Sequence, residues 1–252
     1  MWFEVAPHLV ALLIGAAFLA GFVDAIAGGG GLITVPVLLL SGASPLQALA
    51  TNKLQGTFGA ATAVISYARA GQVRPSEQLG MALISALAGA GGALIAHLVP
   101  VSVLRMIMPV VLIGIALFFA LKPGLTDQPR PHRIGTAAFS LAVVPLIAAY
   151  DGFFGPGTGS FFMMAFVMLA GYGVLQATAH TKMLNFASNA GSLAVFATSG
   201  ATWWAVGLAM AAAQVLGAAI GARLAVRIGA RVIKPLLVVT TTALALRLLW
   251  QS

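Results

Sequence analysis

Residues Gly21–Lys53 read GFVDAIAGGGGLITVPVLLLSGASPLQALATNK. An apolar run reaches Asp24 and then four glycines, Gly28, Gly29, Gly30 and Gly31. A short apolar segment, Leu32–Leu40, follows and stops at the turn-forming residues Ser41–Pro45. A second long run then opens with Gln47, Thr51, Asn52, Lys53 and Gln55. An acid, a glycine cluster and a lysine are costly in so apolar a chain unless they face protein or a cavity. The same order returns once more, as YDGFFGPGTGSFFMMAFVMLAGYGVLQATAHTK, Tyr150–Lys182. Two copies of one unusual pattern predict a duplicated functional core.

Composition sets the class. Of the 252 residues, 60% are hydrophobic and 7% charged, against roughly 25% charged in a soluble domain. A water-facing surface cannot be assembled from this supply, so the fold expected is an all-α polytopic membrane protein. The net charge of +8 does not indicate nucleic acid, because the basic residues punctuate apolar segments instead of sharing one face. With no cysteine in the chain, disulfides and thiolate metal sites are excluded. The beginning MWFEVAPHLV lacks the basic region of a signal peptide, so the first helix is expected to be retained.

Outward from the quoted stretch, the apolar runs are Val5–Ala27, Leu32–Leu40, Leu46–Ala68, Leu79–Val99 and Val103–Leu121. After a polar linker, residues 122–133, they are Ile134–Phe154, Phe161–Ala170, Val174–Ala197, Trp203–Val226 and Val232–Trp250. Each half thus holds four long helices and one short or broken one, giving repeats over 1–121 and 134–252. From Gln47 onward the halves align at a fixed spacing, with Gln47 matching Gln176, Lys53 matching Lys182, Gly71 matching Gly200 and Gly92 matching Gly221. Upstream, Asp24, Gly28 and Gly30 match Asp151, Gly155 and Gly157 after a two-residue slip.

Whether the short segments cross the membrane decides the topology. If they do not, the lysines and arginines outside the motifs divide six against five between the two sides. If they do, nearly all fall on one side, leaving Arg105 and Arg247 opposite. A strong bias is what cytoplasmic loops show. It favours five crossings per half, hence inverted repeats, with the linker and Arg227–Arg231 cytoplasmic and both termini outside.

The chemistry lies in the repeated motif. Gly28, Gly29, Gly30 and Gly31, and Gly155, Gly157, Thr158 and Gly159, each precede a short helix. Glycines let a backbone approach a ligand, and a helix N-terminus offers free N–H groups and partial positive charge. That combination describes an anion site on a discontinuous helix, although the glycines could equally serve a tight turn. Lys53 and Lys182 lie within long apolar helices, either as counter-charges for an anion or with the ammonium reaching an interface. Beside them stand Thr51 and Asn52 in one half and His180, Thr181, Asn185 and Asn189 in the other. Lys182, Asn185 and Asn189 share one helix face, the pattern of a lined cavity. Asp24 and Asp151 read three ways: a proton carrier, a partner for a lysine, or a cap for backbone N–H groups. His180 has no metal-ligand companions, and no catalytic constellation is present, so no metal, cofactor or enzymatic role is expected.

These residues carry a family resemblance. GFVDAIAGGGGLITVPVLLLSGASPLQALATNKLQ, DGFFGPGTGSFF and ATAHTKMLNFASN resemble the two signatures of the TauE/SafE family of membrane permeases. The resemblance spans nearly the whole chain. It implies export or import of sulfite, organosulfonates and related small sulfur-containing anions across the cytoplasmic membrane, by a multi-pass fold of about eight spans in two repeats. The expected function is therefore a secondary transporter for a small anion held between the repeats near the bilayer midplane. The alternative is a non-transporting membrane subunit that anchors or assembles a partner.

Overall fold

The computed structural model describes residues 3–121 and 131–229, and these are helical throughout, without strands. The helices are α1 (Pro7–Ala27), α2 (Gly30–Leu40), α3 (Pro45–Arg69), α4 (Leu79–Leu98) and α5 (Val101–Leu121). After the linker come α6 (Thr136–Phe153), α7 (Thr158–Met168), α8 (Val174–Phe196) and α9 (Trp204–Ile228). The expected helix Val232–Trp250, the charges Arg231, Lys234 and Arg247, and linker residues 122–130 lie outside the described residues.

Four described stretches are long and apolar enough to cross a membrane: Pro7–Ala27, Pro75–Leu98, Thr136–Phe153 and Trp204–Ile228. α4 shows how such a helix meets its surroundings. Its large side chains, Leu83, Leu87, Leu94 and Leu98, point outward, while Ala82, Ser85, Gly89, Gly92 and Ala96 are buried. A soluble helix does the reverse. Lipid accepts the leucines, and the small residues let backbones approach where no hydrophobic effect drives association.

Local sequence explains the helix ends. Ser44 and Gln47 form a capping box at the start of α3, the Ser44 N–H donating to Gln47 Oε1 at 2.8 Å, and Pro45 occupies the first helical position. Gln47 is thus a cap and not part of a polar lining. In α6, a widened π-helical stretch at Phe139–Val143 precedes Pro145, which has no N–H to give the preceding turn.

The short helices begin earlier than their hydrophobicity suggests. α2 starts at Gly30 instead of Leu32, and α7 at Thr158 instead of Phe161. Their N-caps, Gly29 and Gly157, both take φ of 87°, a left-handed conformation that favours glycine. Gly29 therefore corresponds to Gly157, so the register inferred from Gly30 is off by one. Matching letters missed this because four consecutive glycines align equally well at neighbouring offsets. At about 1.5 Å per residue, an 11-residue helix covers roughly half of a ~30 Å hydrocarbon core.

Helices from the two halves of the chain pack across one another. α9 lies along α1 and α3, whereas α4 lies along α6 and α8. The close approaches recur in both directions. A Cβ on Gly221 would overlap the Phe22 carbonyl, and one on Gly92 would overlap the Ala149 carbonyl. α3 and α8 meet at the centre.

Candidate functional site

The glycine clusters, far apart in sequence, meet between α3 and α8. Gly28 packs on the backbone of Gly159 and Ser160, with no room for a Cβ, and Ser160 Oγ donates to the Ala27 carbonyl at 3.0 Å. This contact brings the N-termini of α2 and α7 to one buried polar cavity. Asp24, Gly29, Gly30, Gly31, Asn52, Gly56, Asp151, Gly155, Gly157, Thr158, Gly159, Asn185, Asn189 and Gln214 line it. Its volume is about 30 Å³, room for two or three water molecules.

Two ion pairs, their aspartates in the cavity wall, each join the halves. Lys53 Nζ lies 2.7 Å from Asp151 Oδ1, and Lys182 Nζ lies 3.0 Å from Asp24 Oδ2. Ser188 donates to the other oxygen of Asp151. Asp24 Oδ1 accepts the Gly30 N–H at 3.1 Å, so Asp24 is at once the partner of a lysine and the cap of α2. Lys182 also donates to the Asp24 carbonyl. Both lysines are fully buried. Buried charges are tolerable only when paired and hydrogen-bonded, and these pairs leave the region with no net charge.

The first turns of the short helices keep open donors. The Leu32 N–H is spent on the Gly29 carbonyl, and those of Ser160 and Phe161 on the Gly157 carbonyl. The second-position N–H groups, of Gly31 and Gly159, have no acceptor among the described residues. An asparagine amide faces each. A Cβ on Gly31 would stand 3.3 Å from Asn52 Nδ2, and one on Gly159 would stand 3.5 Å from Asn185 Nδ2. Hydrogen bonds orient both amides. Asn52 Oδ1 accepts from Thr34 Oγ1 at 2.7 Å and Gln55 Nε2 at 3.2 Å, which turns its NH₂ group away from them. Asn185 Oδ1 accepts from Asn189 Nδ2 at 2.6 Å.

Other residues singled out from the sequence lie behind this lining. Thr51 Oγ1 accepts the Trp203 N–H at 3.1 Å at the start of α9. His180 stacks on Tyr172, ring centroids 4.6 Å apart, and also meets Phe166. Thr181 is buried, its hydroxyl without a partner. Gly28 belongs to the inter-cluster contact, and both lysines sit outside the lining. Sequence reasoning overlooked Gly56, Ser188 and Gln214. A signal for Gln214 existed, since it is a lone carboxamide in the apolar run GLAMAAAQVLGAAIG, residues 207–221.

The family model for "Sulfite exporter TauE/SafE" matches residues 13–248. The chain belongs to the TauE/SafE family. A Sinorhizobium relative named "Probable membrane transporter protein ORF9" is 57% identical over 246 residues, covering 98% of this chain and 94% of the relative. "Probable membrane transporter protein YfcA" of Escherichia coli K12 is 42% identical over 250 residues, covering 99% and 93%. A Haemophilus influenzae "Probable membrane transporter protein" is 38% identical over 249 residues, covering 99% and 98%. No solved structure matches the chain. TauE/SafE membership and four apolar helices make this a membrane protein, and the relatives' names indicate transport and not enzymatic chemistry. Among the described residues no group of side chains could hold a metal ion.

Proposed function

We propose that this TauE/SafE protein is a secondary permease for a small sulfur-containing anion, such as sulfite or an organosulfonate, in the cytoplasmic membrane. The observation that carries the reading is the meeting of two helix N-termini, one from each half, at one buried polar cavity. Open N–H groups at Gly31 and Gly159, with the amides of Asn52 and Asn185, supply donors for anionic oxygens. Lys53 and Lys182 hold Asp151 and Asp24 and thereby position the glycine turns. Their charge is already matched, so the donors recognise the anion and the lysines fix the frame. Thr51, His180 and Thr181 shape the same helices from behind.

The reciprocal packing of α9 on α1 and α4 on α6 supports repeats over residues 1–121 and 134–252, joined by 122–133 and related by inversion. The cavity admits only a few waters, so loading an anion of sulfonate size requires the capped ends of α2 and α7 to separate. Rocking of the halves about this contact provides alternating access. Uptake of labelled sulfite and ethanesulfonate into liposomes containing the purified chain alone tests the reading. Saturable flux above empty liposomes is expected. Flux no greater than in empty liposomes for every small anion tried would reject it.

A further inference from the structure

The cavity wall carries two kinds of polar group. One group comprises the donors, the Gly31 and Gly159 N–H groups and the NH₂ groups of Asn52 and Asn185, with the Asp24 carboxylate beside them already engaged by Lys182 and the Gly30 N–H. The other comprises two carboxamides against Gly56 and Gly59 of α3, those of Asn189 and Gln214. Asn189 donates its NH₂ group to Asn185, to the backbone carbonyl at 2.7 Å and to Oδ1 at 2.6 Å, so its own Oδ1 is the end of the amide turned away from Asn185. That oxygen lies 3.1 Å from where a Gly56 Cβ would stand. Gln214 reaches over from α9 and fills the space a Gly59 Cβ would need. It is 4% exposed, lines the cavity, and its Oε1 has no partner. Buried carbonyl oxygens are ordinarily hydrogen-bonded, and leaving one unmatched is costly.

We infer that Gln214, with Asn189, selects an anion bearing its own O–H or N–H donor, such as a hydroxy- or amino-sulfonate or a protonated oxyanion. The inference rests on the permease reading above. The anionic oxygens meet the helix N-termini and asparagine amides. The ligand's donor meets the oxygens of Gln214 and Asn189 and satisfies what the protein leaves open. An anion with acceptors alone would meet the donors and leave Gln214 Oε1 buried and unpaired. A site built around a ligand hydroxyl rejects the analogue lacking it far better than an apolar pocket rejects an extra one.

Isethionate and ethanesulfonate form a matched pair, equal in charge and differing by one hydroxyl. In liposomes containing the full chain, the initial rate at low substrate should favour isethionate by about tenfold or more. Gln214→Met, similar in length, should bring the ratio close to one, whatever the change in the absolute rates. Gln214→Glu keeps an acceptor and should preserve the preference even as its charge lowers both rates. A merely structural role would depress both substrates equally in Gln214→Met and leave the ratio unchanged. A wild-type ratio near one, or an undiminished ratio in Gln214→Met, overturns the inference while leaving the permease intact. Absence of flux for both anions in wild type rejects the permease and this selectivity with it. The wild-type ratio decides even if a variant fails to assemble.

Discussion

The two lysine–aspartate pairs follow one plan in different surroundings. Lys53–Asp151 is sealed, with side-chain exposures of 0% and 3%, and Ser188 takes the remaining carboxylate oxygen. In Lys182–Asp24 the acid is 14% exposed, and its second oxygen caps the helix that delivers Gly31 to the cavity. The first pair fastens α3 to α6. The second fastens α8 to α1 and also caps α2, one of the two short helices whose N-termini meet at the cavity. Both acids reach the cavity wall, but a serine hydroxyl completes one and a helix N-terminus the other, so equal chemistry braces two helices in one place and also caps a third in the other.

Breaking the sealed pair should have the largest effect. Lys53→Met strands the buried Asp151 without its counter-charge and should cost about 3–5 kcal/mol, seen as lost expression and monodispersity in detergent. Adding Asp151→Leu should recover much of that loss, because an apolar pair carries no desolvation penalty. A monodisperse, fully stable Lys53→Met protein would show that the sealed pair does not hold the fold.

Asp24→Asn should cost less, roughly 1–3 kcal/mol, because the amide oxygen can still accept the Gly30 N–H. Lys182 then lacks its carboxylate close to the cavity, so sulfite should raise the melting temperature of this variant more than that of wild type. Equal collapse of Asp24→Asn and Lys53→Met would erase the distinction between the pairs.

The smallest effect belongs to the exposed pair Arg74–Glu77, 3.0 Å apart on side chains 81% and 62% exposed. Arg74→Ala should leave stability within about 0.5 kcal/mol by thermal unfolding. A larger loss would mean that geometry, and not burial, sets the worth of these pairs.

Much of the candidate site was legible because certain residues cannot stand in lipid without a reason. Gly29, Gly157, Asn52, Asn185 and Asn189 announce themselves against an apolar background. The lysines announce themselves too, but their pairing does not. Lys53 meets an acid 98 residues away, and Lys182 one 158 residues away. No local pattern separates a counter-charge for a ligand from a counter-charge for a distant carboxylate, since both require a cation within an apolar helix.

Composition alone determined the membrane class, because 7% charged residues cannot clothe a surface in water. Glycine placement determined where α2 and α7 begin, because a left-handed N-cap favours a residue without Cβ. Only tertiary structure decided that Asp24 serves Lys182, that α4 and α9 pack on the opposite half, and that Gln214 faces Gly59. Those choices depend on which backbones come close enough to touch. In this chain, small residues on many helix faces permit several such approaches, and the mutual fit of whole helices selects one.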